Sequence, residues 1–131
     1  MATEFNVVDV WLGDFPSEIR FSEYLAEIYS VEDDKSPISQ FAADQKRWFY
    51  DHDFVERYFF EKTTDLPRAL SQCSFISSYI NDVVATYKAR ALPPVNVALL
   101  VFGNAIRTPR SVSSNDYKLV HLGRFQSDPG P

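Results

Sequence analysis

The sequence predicts an α+β fold: a single domain in which a mainly antiparallel sheet of about four strands packs against three to four helices in the order β-α-α-β-α-α-β-β. Three observations predict it. Stretches rich in β-branched and aromatic residues stand near both ends of the chain, helix-period apolar stripes lie between them, and hydrophobic residues make up 45% of 131 positions with only four glycines. That composition and length suit one folded domain with a substantial core rather than a disordered chain or two domains.

The first strand is Phe5 to Leu12, with Val8, Val10 and Leu12 alternating before the Gly13-Asp14 break. A helix over about 16–29 follows from Pro16, Glu18 and the stripe Phe21, Tyr24, Leu25 and Ile28. Residues 30–35 break that period and read as an exposed acidic loop. Ser36-Pro37 then offers a cap and a first-turn proline for a second helix over about 37–46, carrying Ile38, Phe41, Ala42 and Gln45.

The stretch from Arg47 to Glu61 is the most concentrated in the chain, with seven aromatics and four acids. Its spacing fits either secondary structure; the density of Phe, Tyr and Val favours a strand over about 53–61. Thr63-Thr64-Asp65 before Pro67 supplies capping groups for a short helical turn through Gln72. The stripe Ile76, Tyr79, Ile80, Val83 and Tyr87 predicts a helix from near Ser74 to the stop at Leu92-Pro93-Pro94. Val95 to Phe102 is apolar at nearly every position, as a central strand covered on both faces requires. Gly103 to Asn115 reads as a polar loop carrying Arg107 and Arg110, Tyr117 to Phe125 as a returning antiparallel strand, and 126–131 as a loose tail outside a core of about 5–125.

Charge narrows the partners. Six bases face fifteen acids through Leu66, a net of −9, whereas seven bases and three acids give the remainder +4. An acidic half lacks the clustered Lys and Arg that phosphate contacts demand, so neither nucleic acid nor an anionic membrane is the expected ligand, and a basic protein surface is. The longest apolar run is too short to span a bilayer, the N-terminus lacks a signal-peptide pattern, and Cys73 is the only cysteine. Those features predict a cytoplasmic protein with no disulfide, a small buried thiol, and no thiolate metal site.

His52 between Asp51 and Asp53 is the one place that looks like chemistry. Consecutive side chains diverge, so the three cannot converge on one ion without a turn, and no nucleophile elbow, phosphate loop or zinc motif accompanies them. No catalytic residue, metal or cofactor is therefore expected. Phe21, Tyr24, Tyr79 and Tyr87 are expected in the core, and Trp11 and Trp48 fit either a core anchor or an interface. The candidate partner-binding residues are the acids Glu32, Asp33, Asp34, Asp51, Asp53 and Glu56. An alternative is a small-molecule or peptide binding module, to which the aromatic wealth points.

A series of short marks runs the length of the chain: Val10-Trp11-Leu12-Gly13, Phe21 and Tyr24, Ser39-Gln40-Phe41-Ala42, Trp48, Tyr50-Asp51-His52-Asp53-Phe54 with Glu56, Ser74-Phe75-Ile76, and Leu122-Gly123-Arg124-Phe125. In order and spacing they resemble the Immunity protein 22 family of bacterial polymorphic toxin systems, an α+β family. The resemblance implies a non-enzymatic, cytosolic antidote that binds and neutralises a cognate toxin domain, often a nuclease, encoded beside it. Nucleases present basic substrate grooves, which agrees with the acidic charge balance.

Overall fold

In the computed structural model, residues 6–28, 37–47, 50–103 and 105–128 are described. They form an α+β domain around one antiparallel sheet. The strands are β1 (Val7–Asp14), β2 (Val55–Thr63), β3 (Val95–Phe102), β4 (Val112–Ser113) and β5 (Lys118–Gln126), and the helices are α1 (Glu18–Leu25), α2 (Gln40–Asp44), α3 (Leu66–Ala69) and α4 (Ile80–Ala89). The spatial strand order is β2-β3-β1-β5-β4. Four strands match the expected segments, and the fifth is a two-residue piece inside the polar loop.

Both faces of the sheet are covered, which explains why β3 is apolar throughout and buried at all eight positions. On one face Trp11, Val97, Leu99 and Val101 pack under Phe21, Tyr24 and Leu25 of α1, Phe41 and Ala42 of α2, and Ile106 from the loop. On the other face Val8, Val10, Leu12, Ala98, Leu100 and Phe102 meet Leu66, Leu70, Tyr79, Val83 and Tyr87. The period of two in β1 and β3 thus feeds two separate cores. Trp11 is a core anchor, fully buried, and its ring sits edge-on to Phe41 at 5.3 Å. Phe21, Tyr24, Tyr79 and Tyr87 are all buried as expected. Cys73 is buried as well, and desolvation pushes its thiol up to about 12.

Close sheet packing fixes one glycine. A β-carbon on Gly13 would run into the Lys118 carbonyl of β5, so no larger residue fits that register.

Several boundaries differ from the sequence reading, each for a local reason. The first helix is capped by Ser17, whose side chain accepts from Arg20 N, and it stops at Leu25 because Ala26 turns extended. Ile28 is therefore 75% exposed instead of continuing the stripe. The second helix starts at Gln40, with Ser39 supplying the capping oxygen to Ala42 N. Before α4, Phe75 adopts a left-handed conformation (φ 58°) and Ile76–Ser78 form a 3₁₀ turn, so the regular helix begins only at Ile80. A 3₁₀ turn also occupies His52–Phe54, which moves the start of β2 to Val55. At the chain's end Gln126 completes β5 and buried Ser127 donates from its backbone N to Asn6 O, so 126–128 are part of the fold and not a loose tail.

The polar loop after β3 is anchored rather than merely solvated. Ile106 is fully buried, and the Arg110 carbonyl accepts from Trp11 Nε1 (2.9 Å) and from Gln45 Nε2 (3.0 Å). Arg110 N donates back to Gln45 Oε1 at 2.7 Å. A buried Gln45 amide thus replaces a missing strand neighbour for this segment.

Candidate functional site

The residues around His52 line an open cleft of about 510 Å³ between the C-terminal end of α1 and the entrance to β2. One wall is Ser22, Leu25, Ala26 and Glu27; the other is Tyr50, His52, Val55 and Arg57. A tight 3₁₀ turn over His52–Phe54 shapes the second wall. Asp51 caps it, its side chain accepting from Asp53 N at 3.0 Å. That leaves the imidazole 63% exposed between two carboxylates, with Nδ1 3.3 Å from Glu27 Oε1 and Nε2 3.4 Å from Asp53 Oδ1. Among the described residues no group of three or more His, Cys, Asp or Glu converges as a metal site.

Of the six candidate acids, the three among the described residues divide between two faces of the sheet. Asp51 and Asp53 are exposed on the turn beside the cleft, and Glu27, absent from the candidates, lines it and faces His52. Glu56 sits one residue beyond Val55 and so projects to the opposite face of the sheet. Its Oε1 accepts from Tyr58 Oη (2.7 Å) and from Ser74 N (3.0 Å), which ties β2 to the segment before α4. Glu32, Asp33 and Asp34 lie outside the described residues, as does Trp48. Their flanks are joined beside the cleft by a hydrogen bond from Ile28 N to Ile38 O, 2.6 Å long.

A second polar cluster went unnoticed in the sequence. Asp9 of β1 is fully buried and lies opposite Arg124 of β5 in the sheet register. Arg124 grips it with both Nε and Nη2 at 3.0 to 3.1 Å and also donates to Ile106 O. His121 Nε2 is 2.9 Å from the other side of the same carboxylate. An ionised carboxylate only accepts, so Nε2 carries the hydrogen. The signal was available: Val8 and Val10 occupy one face of β1, so Asp9 had to share the other face with Trp11 and needed a cation there.

A third group lies under α1. Tyr24 Oη and Tyr117 Oη both donate to Asp44 Oδ2, at 2.9 and 2.6 Å. Desolvation and the Asp44 charge raise both phenols, Tyr117 to about 12 and Tyr24 further. Arg20 lies over the Tyr117 ring and pairs with Asp116 at 2.7 Å. Both of these clusters are internal ties, whereas at the His52 cleft charged side chains gather at an open surface, as Glu61, Lys62, Asp65 and Arg68 do at a second cleft of about 470 Å³ between β2 and α3.

Neither a curated protein nor a solved structure matches the chain. The family model described as Immunity protein 22 matches residues 8–128, from β1 through the end of β5 and across both walls of the cleft. By that match, covering nearly the whole fold, the chain belongs to the Immunity protein 22 family.

Proposed function

We propose that the chain neutralises a cognate bacterial toxin by binding it through the acidic rim of the His52 cleft, without catalysis. The observation that carries this reading is the placing of Glu27 and Asp53 on either side of an exposed imidazole at an open cleft, on a turn that Asp51 caps. Carboxylates on a preformed turn offer a fixed pattern of acceptors to Arg and Lys on a partner, at little conformational cost. Glu32, Asp33 and Asp34 extend the acidic character in sequence between the two flanks joined at Ile28 and Ile38. Glu56 drops out of the contact set, because it serves Tyr58 and Ser74.

A toxin with a basic substrate groove, such as a nuclease, is the partner class this surface fits, and complementary charge speeds the encounter. The aromatic residues support this reading over a small-molecule pocket. Trp11, Phe15, Phe21, Tyr24 and Phe41 are consumed by the core, and among the described residues Tyr50 is the one phenol or benzyl ring on the cleft walls. The test is co-expression with the toxin encoded beside it: growth should be rescued, and the two proteins should co-purify at low salt. Rescue without any physical association would overturn the proposal.

A further inference from the structure

The sheet has two edges of unequal character. One is β4, only two residues long and therefore a poor template for another strand. The other is β2, nine residues long, which among the described residues pairs only with β3. An open edge of that length exposes a row of backbone donors and acceptors, and native proteins cover such rows or pair them.

The sequence of β2 is complementary to itself when reversed. It reads Val55, Glu56, Arg57, Tyr58, Phe59, Phe60, Glu61, Lys62, Thr63. Two copies run antiparallel about Phe59 place each Arg57 opposite the other copy's Glu61. The same register places each Glu56 opposite Lys62, Tyr58 opposite Phe60, and Val55 opposite Thr63. Side chains directly opposite in an antiparallel pair share a face, so every one of these pairs can touch. Arg57 and Glu61 are exposed, and Tyr58, Phe59 and Phe60 are only half-buried within one copy. Among the described residues neither charge is held by a hydrogen bond or ion pair like those of Glu56 with Ser74 or Lys62 with Asp14 (2.9 Å), which leaves Arg57 and Glu61 for a register-setting contact. The ladder between β2 and β3 shifts register between Phe59 and Thr63, so the strand bends and its pairing with β3 is locally interrupted at Phe60, Glu61 and Lys62.

We infer that the β2 edge is a homodimer interface, in which two copies join across a two-fold axis at Phe59 to make one continuous sheet. This is an isologous contact: the same patch serves both copies, and each Arg57–Glu61 pair occurs twice. It lies beside the cleft, since Arg57 borders both, and it adds an assembly to the proposed role instead of restating it.

Sedimentation velocity on the purified chain, from micromolar to millimolar concentration, tests it. The expected result is a monomer–dimer equilibrium weakened about tenfold or more by Arg57→Glu alone and by Glu61→Arg alone, since each puts like charges opposite one another twice. Mixing those two variants should restore dimers, because one copy then carries only acids at these positions and the other only bases. A wild-type chain that stays monomeric throughout overturns the inference, whether or not the edge pairs with a toxin strand. Dimers indifferent to the single changes, or single variants that fail to pair when mixed, overturn it too.

Discussion

Asp9 and Arg124 face each other across β1 and β5, a carboxylate with no solvent exposure held by a two-pronged guanidinium at 3.0 to 3.1 Å. They are separated by 115 residues in sequence, and the Ile106 carbonyl shares the same guanidinium, so one contact closes the sheet and holds down the loop. Breaking a buried pair on one side leaves an uncompensated charge. Arg124→Ala should therefore cost about 3 kcal/mol of stability, measured by urea unfolding. Replacing both partners, Asp9→Leu with Arg124→Met, should recover most of that loss. A double variant no more stable than Arg124→Ala would mean that the loop contact, and not the charge pair, carries the energy.

Gln45 makes a subtler connection. Its amide satisfies both Arg110 N and Arg110 O from a fully buried position in the turn that ends α2. Gln45→Ala orphans the Arg110 N–H while Trp11 Nε1 still serves the carbonyl, so a loss of about 1 to 3 kcal/mol is expected. Hydrogen exchange at Arg110 should accelerate well ahead of exchange in β3. Uniform acceleration across the sheet would show that the loop does not open on its own.

Two helices end in the same backbone device, each on a residue that strains to form it. After α2, Lys46 (φ 61°) donates to Ala43 O and Arg47 to Ala42 O; after α4, Ala91 (φ 52°) donates to Lys88 O and Leu92 to Tyr87 O. This is the Schellman arrangement, in which glycine is the favoured left-handed residue. Lys46→Gly and Ala91→Gly should each raise stability by about 0.5 to 1 kcal/mol, read from the thermal midpoint. A drop in both would contradict the strain assigned to these positions.

The phenols on Asp44 make stability depend on alkaline pH. In the folded chain Tyr117 holds its proton up to about 12, against an ordinary 10.0. A raised folded value stabilises the fold fully below the unfolded value, and that contribution is lost as pH climbs from about 10 toward 12. Tyr24 adds to the same slope. Chemical denaturation at a series of alkaline pH values should show stability falling in this window, and Tyr117→Phe should flatten the fall. An unchanged slope in the variant would mean that Tyr117 does not contribute.

Much of this architecture was legible because it is local. The α4 stripe, the two-faced apolar run of β3 and the burial of Phe21, Tyr24 and Tyr79 follow from periodicity, which records the direction of each side chain. Capping was less legible. Ser36-Pro37 and Ser39 are both acceptable helix starts, and the choice fell to whichever oxygen could reach Ala42 N as Phe41 entered the core. What stayed hidden is non-local: Asp9 with Arg124, Gln45 with Arg110, and Asn96 with Phe15 are each joined across 65 or more positions. The candidate site was half legible for the same reason. The Asp51-His52-Asp53 turn is written in consecutive residues, but Glu27 reaches it from α1's end, and the diversion of Glu56 depends on Ser74 meeting the far face of β2.

The central claim is that the cleft's carboxylates bind the toxin. Calorimetric titration of the cognate toxin domain into the wild-type chain and into an Asp51→Lys, Asp53→Lys double variant tests it most directly, at low and at physiological salt. Both positions are exposed, and thermal unfolding of the variant controls for the lost cap at Asp51. Wild-type affinity should weaken as salt rises, and the folded double variant should bind about tenfold or more weakly at low salt. Equal affinity for the two chains, with no dependence on salt, would contradict the claim.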